Sequence, residues 1–187
     1  MRKFLGVLAF LACGQAWAGG GSIPEGGIER AWHRQHLGDY TSEPGEALPD
    51  FLRRTGQVLH TFTRDSGHEA CGAIASDGQR FGVRLYTDGV PHGCAIRTSE
   101  VPDGFAFTGE TFHSHPWQKV LTMTPAARAW SRFHKDGHDG ASTLRNDGAG
   151  GFSRADYAGG PGWLVAKGQL LHQAGGKTTR YGAITGK

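Results

Sequence analysis

Cysteine is scarce in this chain, with three among 187 residues. One of them, Cys13, falls in a leader-like segment, so only Cys71 and Cys94 are left to the fold, and they allow at most one disulfide. Long hydrophobic runs are also missing. The apolar stretch near the start is too short to span a bilayer, and nothing later is long and apolar enough for a membrane helix. Charge of one sign is not in excess. The formal charge is +3, and without Arg2 and Lys3 the 18 basic residues that remain face 17 acidic ones, which gives +1. So weak a balance offers no support for a nucleic-acid role. No internal repeat or low-complexity block stands out. Hydrophobic residues make up 37%, modest but globular, so wholesale disorder is excluded. The abundance of glycine, 31 residues, implies many loops.

What is present begins with "MRKFLGVLAFLACGQAWAGG": two basic residues, a short apolar run and Ala16-Trp17-Ala18 before Gly19. That order reads as a secretory signal peptide over 1–18, and it implies export to a periplasm or the extracellular space. Cys13 in "FLAC" loosely fits a lipobox and is the competing processing site. About 169 residues would remain after cleavage, enough for one domain with a core. Residues 19–45, rich in Gly and polar residues, read as an extended or loosely packed arm.

From Glu46 the pattern becomes structured. Leu48, Phe51, Leu52, Val58, Leu59 and Phe62 suit an amphipathic helix with Asp50 as a possible cap. "HEACGAIAS" reads as a strand, "DGQ" as a hairpin turn and "RFGVRLYT" as a second strand. "GCAIRT" is a possible short third strand. "GFAFTGETFHSHP" reads as a longer strand whose Phe105, Phe107 and Phe112 supply core. "TPAARAWSRFHKD" predicts a helix capped by Thr124, with Pro125 where its missing N–H costs nothing. "GHDGASTLRNDGAGG" reads as a flexible loop, and "FSRADYAGG" as a helical turn begun by Ser153. "GWLVAKG" and "QLLHQAG" follow as strands, then "KTTRYGAITGK" as a last strand or tail. The sum is an α/β fold, a mixed sheet with a helix before its first strand.

The stretch "ETFHSHPWQ" carries the chemistry. Alternation in a strand sends His113 and His115 to one face and Ser114 to the other, and Pro116 ends the ladder. Two converging imidazoles are half of a metal site, and a catalytic zinc takes three protein ligands plus an open position. Candidates for the third ligand are Asp156, His134, His138, His68, His92 and His172. A hydrolase also needs a carboxylate that is not a ligand, and Glu69 and Glu110 are the options. By parity Glu110 points to the face away from His113. His134 and His138 have the i, i+4 spacing of ligands on one helix face, but "KDG" ends the helix between them and both read as solvated. Trp117, Trp130 and Trp163 read as packing, although Trp117 directly follows the histidines and could flank a substrate.

"HSHP" followed by "SRAD" resembles the JAMM (MPN-plus) metallopeptidase signature, H-x-H-P then S-x-x-D. "EACGAI" at 69–74 resembles the E-x-C-G strand of its AMSH-type deubiquitinating members. The resemblance covers roughly residues 46–175. It implies a single JAMM-like domain over 46–187, a curved mixed sheet flanked by helices. It further implies zinc held by His113, His115 and Asp156, with Glu69 as general acid/base and Ser153 donating to the oxyanion of the tetrahedral intermediate. The expected activity is hydrolysis of a peptide or isopeptide bond in a peptide or protein substrate. An export signal makes ubiquitin a poor substrate guess, whereas peptide crosslinks of a cell wall are isopeptide-like bonds in the right compartment. The alternative is a non-catalytic zinc-binding or scaffold module. The chain departs from the family in one respect. Family members have a handful of residues between the proline and the S-x-x-D serine; here 117–152, 36 residues, intervene. An insert leaving and re-entering the fold at neighbouring points costs little entropy, and it is expected to form a lid or substrate-binding wall beside the metal.

Overall fold

The computed structural model describes Trp32 and residues 34–184. The expected signal peptide, Cys13 and most of the N-terminal arm lie outside the described residues. Nine strands and three helices follow along the described chain: β1 (Gln35–Thr41), α1 (Leu48–Ser66), β2 (Cys71–Ser76), β3 (Phe81–Thr87), β4 (Ala106–Ser114), β5 (Val120–Thr122), α2 (Pro125–His134), β6 (Thr143–Arg145), α3 (Arg154–Ala158), β7 (Gly162–Ala166), β8 (Gln169–Ala174) and β9 (Lys177–Ala183). Seven strands form one mixed sheet in the order β1-β3-β2-β4-β7-β8-β9, and β5 pairs with β6 as a separate ribbon. Neighbours are antiparallel except β4 and β7, which run parallel at the centre. No described helix is long and apolar enough to cross a membrane.

Helix α1 forms because its apolar positions recur at helical spacing and Pro49 sits in the first turn, where no N–H is needed. Asp50 is not its cap. The N-cap is Ala47, without a side-chain hydrogen bond, and Asp50 instead pairs with Arg53 at 2.5 Å in the first turn. Gly67, in the left-handed region at φ 71°, ends the helix. Phe51, Leu52 and Leu59 bury completely against Ile74, Val83, Phe112, Val165 and Leu170. Each such side chain contributes about 1.5–3 kcal/mol of burial. Gly56 lets the helix approach the sheet: a Cβ there would meet Ile184 at 2.9 Å and Val165 at 3.2 Å. β2 is buried on both faces except at its last residue, as a central strand must be when both sheet faces are covered.

Four further readings need correction. Gln35–Thr41, assigned to a loose arm, is the edge strand β1, registered against β3 from Gln35↔Thr87 to Thr41↔Gly82. "GCAIRT" is not a strand; side chains satisfy its backbone, with Ala95 N–H donating to Asp88 at 2.8 Å and Arg34 donating to the Ala95 carbonyl at 2.7 Å. The expected flexible loop after α2 contains β6, paired with β5 from Val120↔Arg145 to Thr122↔Thr143. Phe107 is 37% exposed rather than core, because the first half of β4 projects beyond its cover.

The insert 117–152 therefore has its own structure. Thr124 caps α2 by accepting from Ala127 N–H at 3.1 Å. Ala127 and Trp130 pack with Val90 and Met123 in a second apolar cluster. A disulfide joins Cys71 of β2 to Cys94 in the loop before β4, across a Cα separation of 5.9 Å.

Candidate metal centre

Strand β4 delivers both histidines to the sheet face opposite α1. Phe112 packs into the α1 core. Ser114 also turns to that side, its Oγ 2.6 Å from Thr63 Oγ1 on α1. His113 and His115 then share the other face, with Nε2 atoms 3.1 Å apart. They are 7% and 4% exposed. His115 lies one residue past the strand, yet its N–H donates to the Val165 carbonyl at 3.1 Å and so continues the β7 ladder.

Asp156 joins them from α3. Its Oδ1 lies 3.1 Å from His113 Nε2, and its Oδ2 lies 3.5 Å from His115 Nε2. Ser153 aims it: the Ser153 N–H donates to Oδ2 at 2.6 Å, its hydroxyl donates to the same oxygen at 2.8 Å, and Asp156 N–H donates back at 3.3 Å. This is a reciprocal cap on a short helix. Buried Gln173 on β8 donates to the Asp156 carbonyl at 3.2 Å and also to the Gly160 carbonyl, which ties α3 to the sheet. Burial by itself would raise the Asp156 carboxyl. The hydrogen bond from His113, the charges of both imidazoles and the Ser153 N–H outweigh it and hold the group well below the usual carboxylate range.

One ligand atom each from His113, His115 and Asp156 fits within 4.8 Å, and these three form a group that could hold a metal ion. Two imidazole nitrogens and a carboxylate oxygen are the donor set of a three-ligand catalytic site. The other nitrogen of His115 supports this. Nδ1 lies 2.9 Å from the Gly148 carbonyl and 3.1 Å from that of Gly151, so Nδ1 carries the proton and Nε2 offers its lone pair to an ion.

Glu69 approaches from the segment just before β2, not from within the strand as the sequence suggested. Its Oε1 is 3.9 Å from His115 Nε2. Its backbone is held on both sides: Glu69 N–H donates to the Val90 carbonyl at 3.0 Å, and Thr87 donates to the Glu69 carbonyl at 2.6 Å. The next residue, Ala70, donates its N–H to Ser114 Oγ at 3.1 Å. Burial pushes the Glu69 carboxyl up to about 8, with His115 opposing the shift and Asp156 adding to it.

Among the other candidates, Glu110 faces away as its parity predicts, accepting from Trp163 Nε1 and lying 3.4 Å from His172 Nε2. His92 contacts Ser131 at 2.7 Å and Asp136 at 3.3 Å, apart from the triad. His134 is not simply solvated: its ring lies on Trp130 at 4.0 Å, and Nδ1 is 3.0 Å from the Trp130 carbonyl. His138 lies near His92, with ring centroids 6.2 Å apart. His68 is half-buried, and burial lowers its pKa. Trp130 and Trp163 are packing residues. Trp117 lies against His60 of α1, 5.1 Å between rings, and does not line the cleft.

The triad and Glu69 open into a cleft of about 1550 Å³. The insert supplies one of its walls through Lys119, Leu121, Trp130, Leu144 and Arg145. It leaves after Pro116 and returns at Gly148 beside the same histidine. Asn146 closes its base by donating to the carbonyls of Pro116 at 2.9 Å and Gln118 at 3.0 Å. Gly148 and Gln173 carry no motif by which sequence could single them out.

Fold and site together define an α/β chain bearing two histidines and an aspartate competent to hold a metal, beside a buried glutamate, in a large cleft. Compared with known proteins, the chain matches no family model, no curated protein and no solved structure.

Proposed function

We propose that this chain is an exported zinc hydrolase of the JAMM (MPN-plus) type, cutting a peptide or isopeptide bond. The observation that carries the reading is the meeting of Asp156 with the paired imidazoles across the insert, with Glu69 Oε1 only 3.9 Å from His115. His113, His115 and Asp156 would hold the ion. Bound zinc acidifies water and polarises a carbonyl. Glu69 accepts a proton from the attacking water and passes it to the departing nitrogen, so that the C–N bond breaks to a carboxylate and an amine. Burial holds the Glu69 carboxyl above its ordinary range in the metal-free chain, and a bound cation would draw it back down, to where it can take a proton from water and give it to the amine. The Ser153 backbone N–H holds Asp156, and in this reading the hydroxyl turns from Asp156 to donate to the oxyanion. Peptide crosslinks of a cell wall are suitable substrates for an exported enzyme of this kind.

The test is hydrolysis of peptide and isopeptide panels by the purified protein, with and without chelator. Zinc near one equivalent and chelator-sensitive cleavage abolished by Glu69→Gln are expected. A second reading, a zinc-binding module that cuts nothing, is favoured by the Ser153 hydroxyl already being engaged in the α3 cap. Zinc with no turnover across the panels would select it.

A further inference from the structure

The cleft lining sets four cationic side chains beside four carboxylates, but three of the cations pair with none of them. Lys119 and Arg145 project from the two arms of the insert, Lys167 from the turn between β7 and β8, and Arg154 from α3, and all four line the cleft. Arg154 faces Asp147 at 3.8 Å. Among the described residues, Lys119, Arg145 and Lys167 form no ion pair. The carboxylates along the same cleft are already engaged. Asp136 accepts from Ser131 at 3.1 Å and from the His138 N–H at 2.9 Å. Asp147 faces Arg154, while Asp156 and Glu69 belong to the site. Lys167 comes close to the metal's own support: a Cβ on Gly150 would lie 3.7 Å from Lys167 Nζ, and Gly148 and Gly151 on either side present their carbonyls to His115.

We propose that Lys119, Arg145 and Lys167 form an anion subsite, and that the cleft takes a peptide bearing carboxylates next to the bond at the triad. The substrate class rests on the hydrolase reading above; the subsite does not. Cations on the wall of a recessed cleft steer and retain an anionic chain more effectively than they would on a flat surface. An acidic peptide suits them better than a nucleic acid: the cations are confined to one cleft, and the formal charge of the whole chain is only +3.

The test separates binding from turnover. Zinc-loaded Glu69→Gln protein is titrated with a dansylated glutamate-rich peptide and with its glutamine counterpart, at low and high salt. The glutamate peptide binds about tenfold more tightly at low salt, as expected for rim charges each worth a fraction of a kcal/mol. The advantage shrinks at high salt and disappears in the Lys119→Glu/Arg145→Glu double variant, which still holds zinc. It survives in Arg64→Glu, a control on α1 with the same charge change. Equal affinity for the two peptides, an advantage that persists in the double variant, or tighter binding of a single-stranded oligonucleotide overturns the proposal. A wild-type protein that prefers the acidic peptide but cuts nothing overturns the hydrolase reading and leaves the subsite standing.

Discussion

The Nδ1 atom of His115 lies 2.9 Å from the carbonyl oxygen of Gly148, which is 33 positions further along the chain. The returning arm of the insert thus sets the tautomer of a candidate ligand. A Cβ on Gly148 would meet His115 Nδ1 at 2.5 Å. Gly148→Ala should therefore weaken zinc affinity by about 10–100-fold, the usual cost of disturbing such a partner, while the far-ultraviolet circular dichroism stays unchanged. Competitive chelator titration reads the affinity; wild-type affinity would show that this contact does not orient the imidazole.

Zinc should raise the thermal midpoint of the purified chain, chelation should lower it, and re-addition should restore it, because an ion that binds only the folded state stabilises it by mass action. His113→Ala and Asp156→Asn should abolish the zinc-dependent shift. An equal shift in all three proteins would place the ion elsewhere.

Glu69 sets a pH dependence on the metal-free protein. Its carboxyl is raised from 4.5 to about 8, so between those values the unfolded chain has released a proton that the folded chain retains. Below the lower value the group is neutral in both states and costs nothing. As pH rises through the window, the group removes stability at up to about 1.4 kcal/mol per pH unit. Asp156 acts in the opposite sense and only in acid, since its lowered pKa withdraws stability as pH falls below the ordinary aspartate value of 3.8. Urea titrations across the window should show metal-free Glu69→Gln gaining on wild type as pH approaches 8. Parallel curves for the two proteins would contradict the burial of this carboxyl.

Ser114 is fully buried and ties three elements together: its Oγ contacts Thr63 of α1 at 2.6 Å and accepts from Ala70 N–H at 3.1 Å, one residue beyond Glu69. Ser114→Ala strands those two polar groups and should cost about 1–3 kcal/mol in urea unfolding. A neutral substitution would mean that the network is not needed to hold the Glu69 segment.

Reduction should also destabilise the chain. The Cys71–Cys94 bridge closes a loop with a sequence separation of 23, and its loss in a Cys71→Ser/Cys94→Ser variant should cost about 3 kcal/mol. Unfolding midpoints with and without reductant measure it, and a reductant-insensitive wild type would argue against the bridge.

Much of this architecture was legible in local pattern. Helical spacing of apolar residues marked α1, Thr124-Pro125 marked the start of α2, Ser153 marked that of α3, and strand alternation put His113 and His115 on one face with Glu110 on the other. Pairing was less legible. β1 is a largely polar segment and β6 a three-residue one, and they become strands only because a partner edge is available to them, whereas "GCAIRT" has strand-like residues but no such partner. Asp50 shows the same limit: it suits a cap, but Ala47 occupies that position.

Local order along the chain therefore determined which side chains share a face, since periodicities of two and 3.6 residues are backbone geometry. It could not determine what meets across a gap. From the residues alone, Asp156 was one of several candidate third ligands and Glu69 one of two carboxylates; resemblance to a known signature singled them out, and only the packing shows where they lie. Asp156 reaches the histidines because β7 runs parallel to β4 and sets α3 beside them, and Gly148 touches His115 because the insert closes at its base. Both depend on contacts between residues far apart in sequence, which only the packed chain brings within bonding distance.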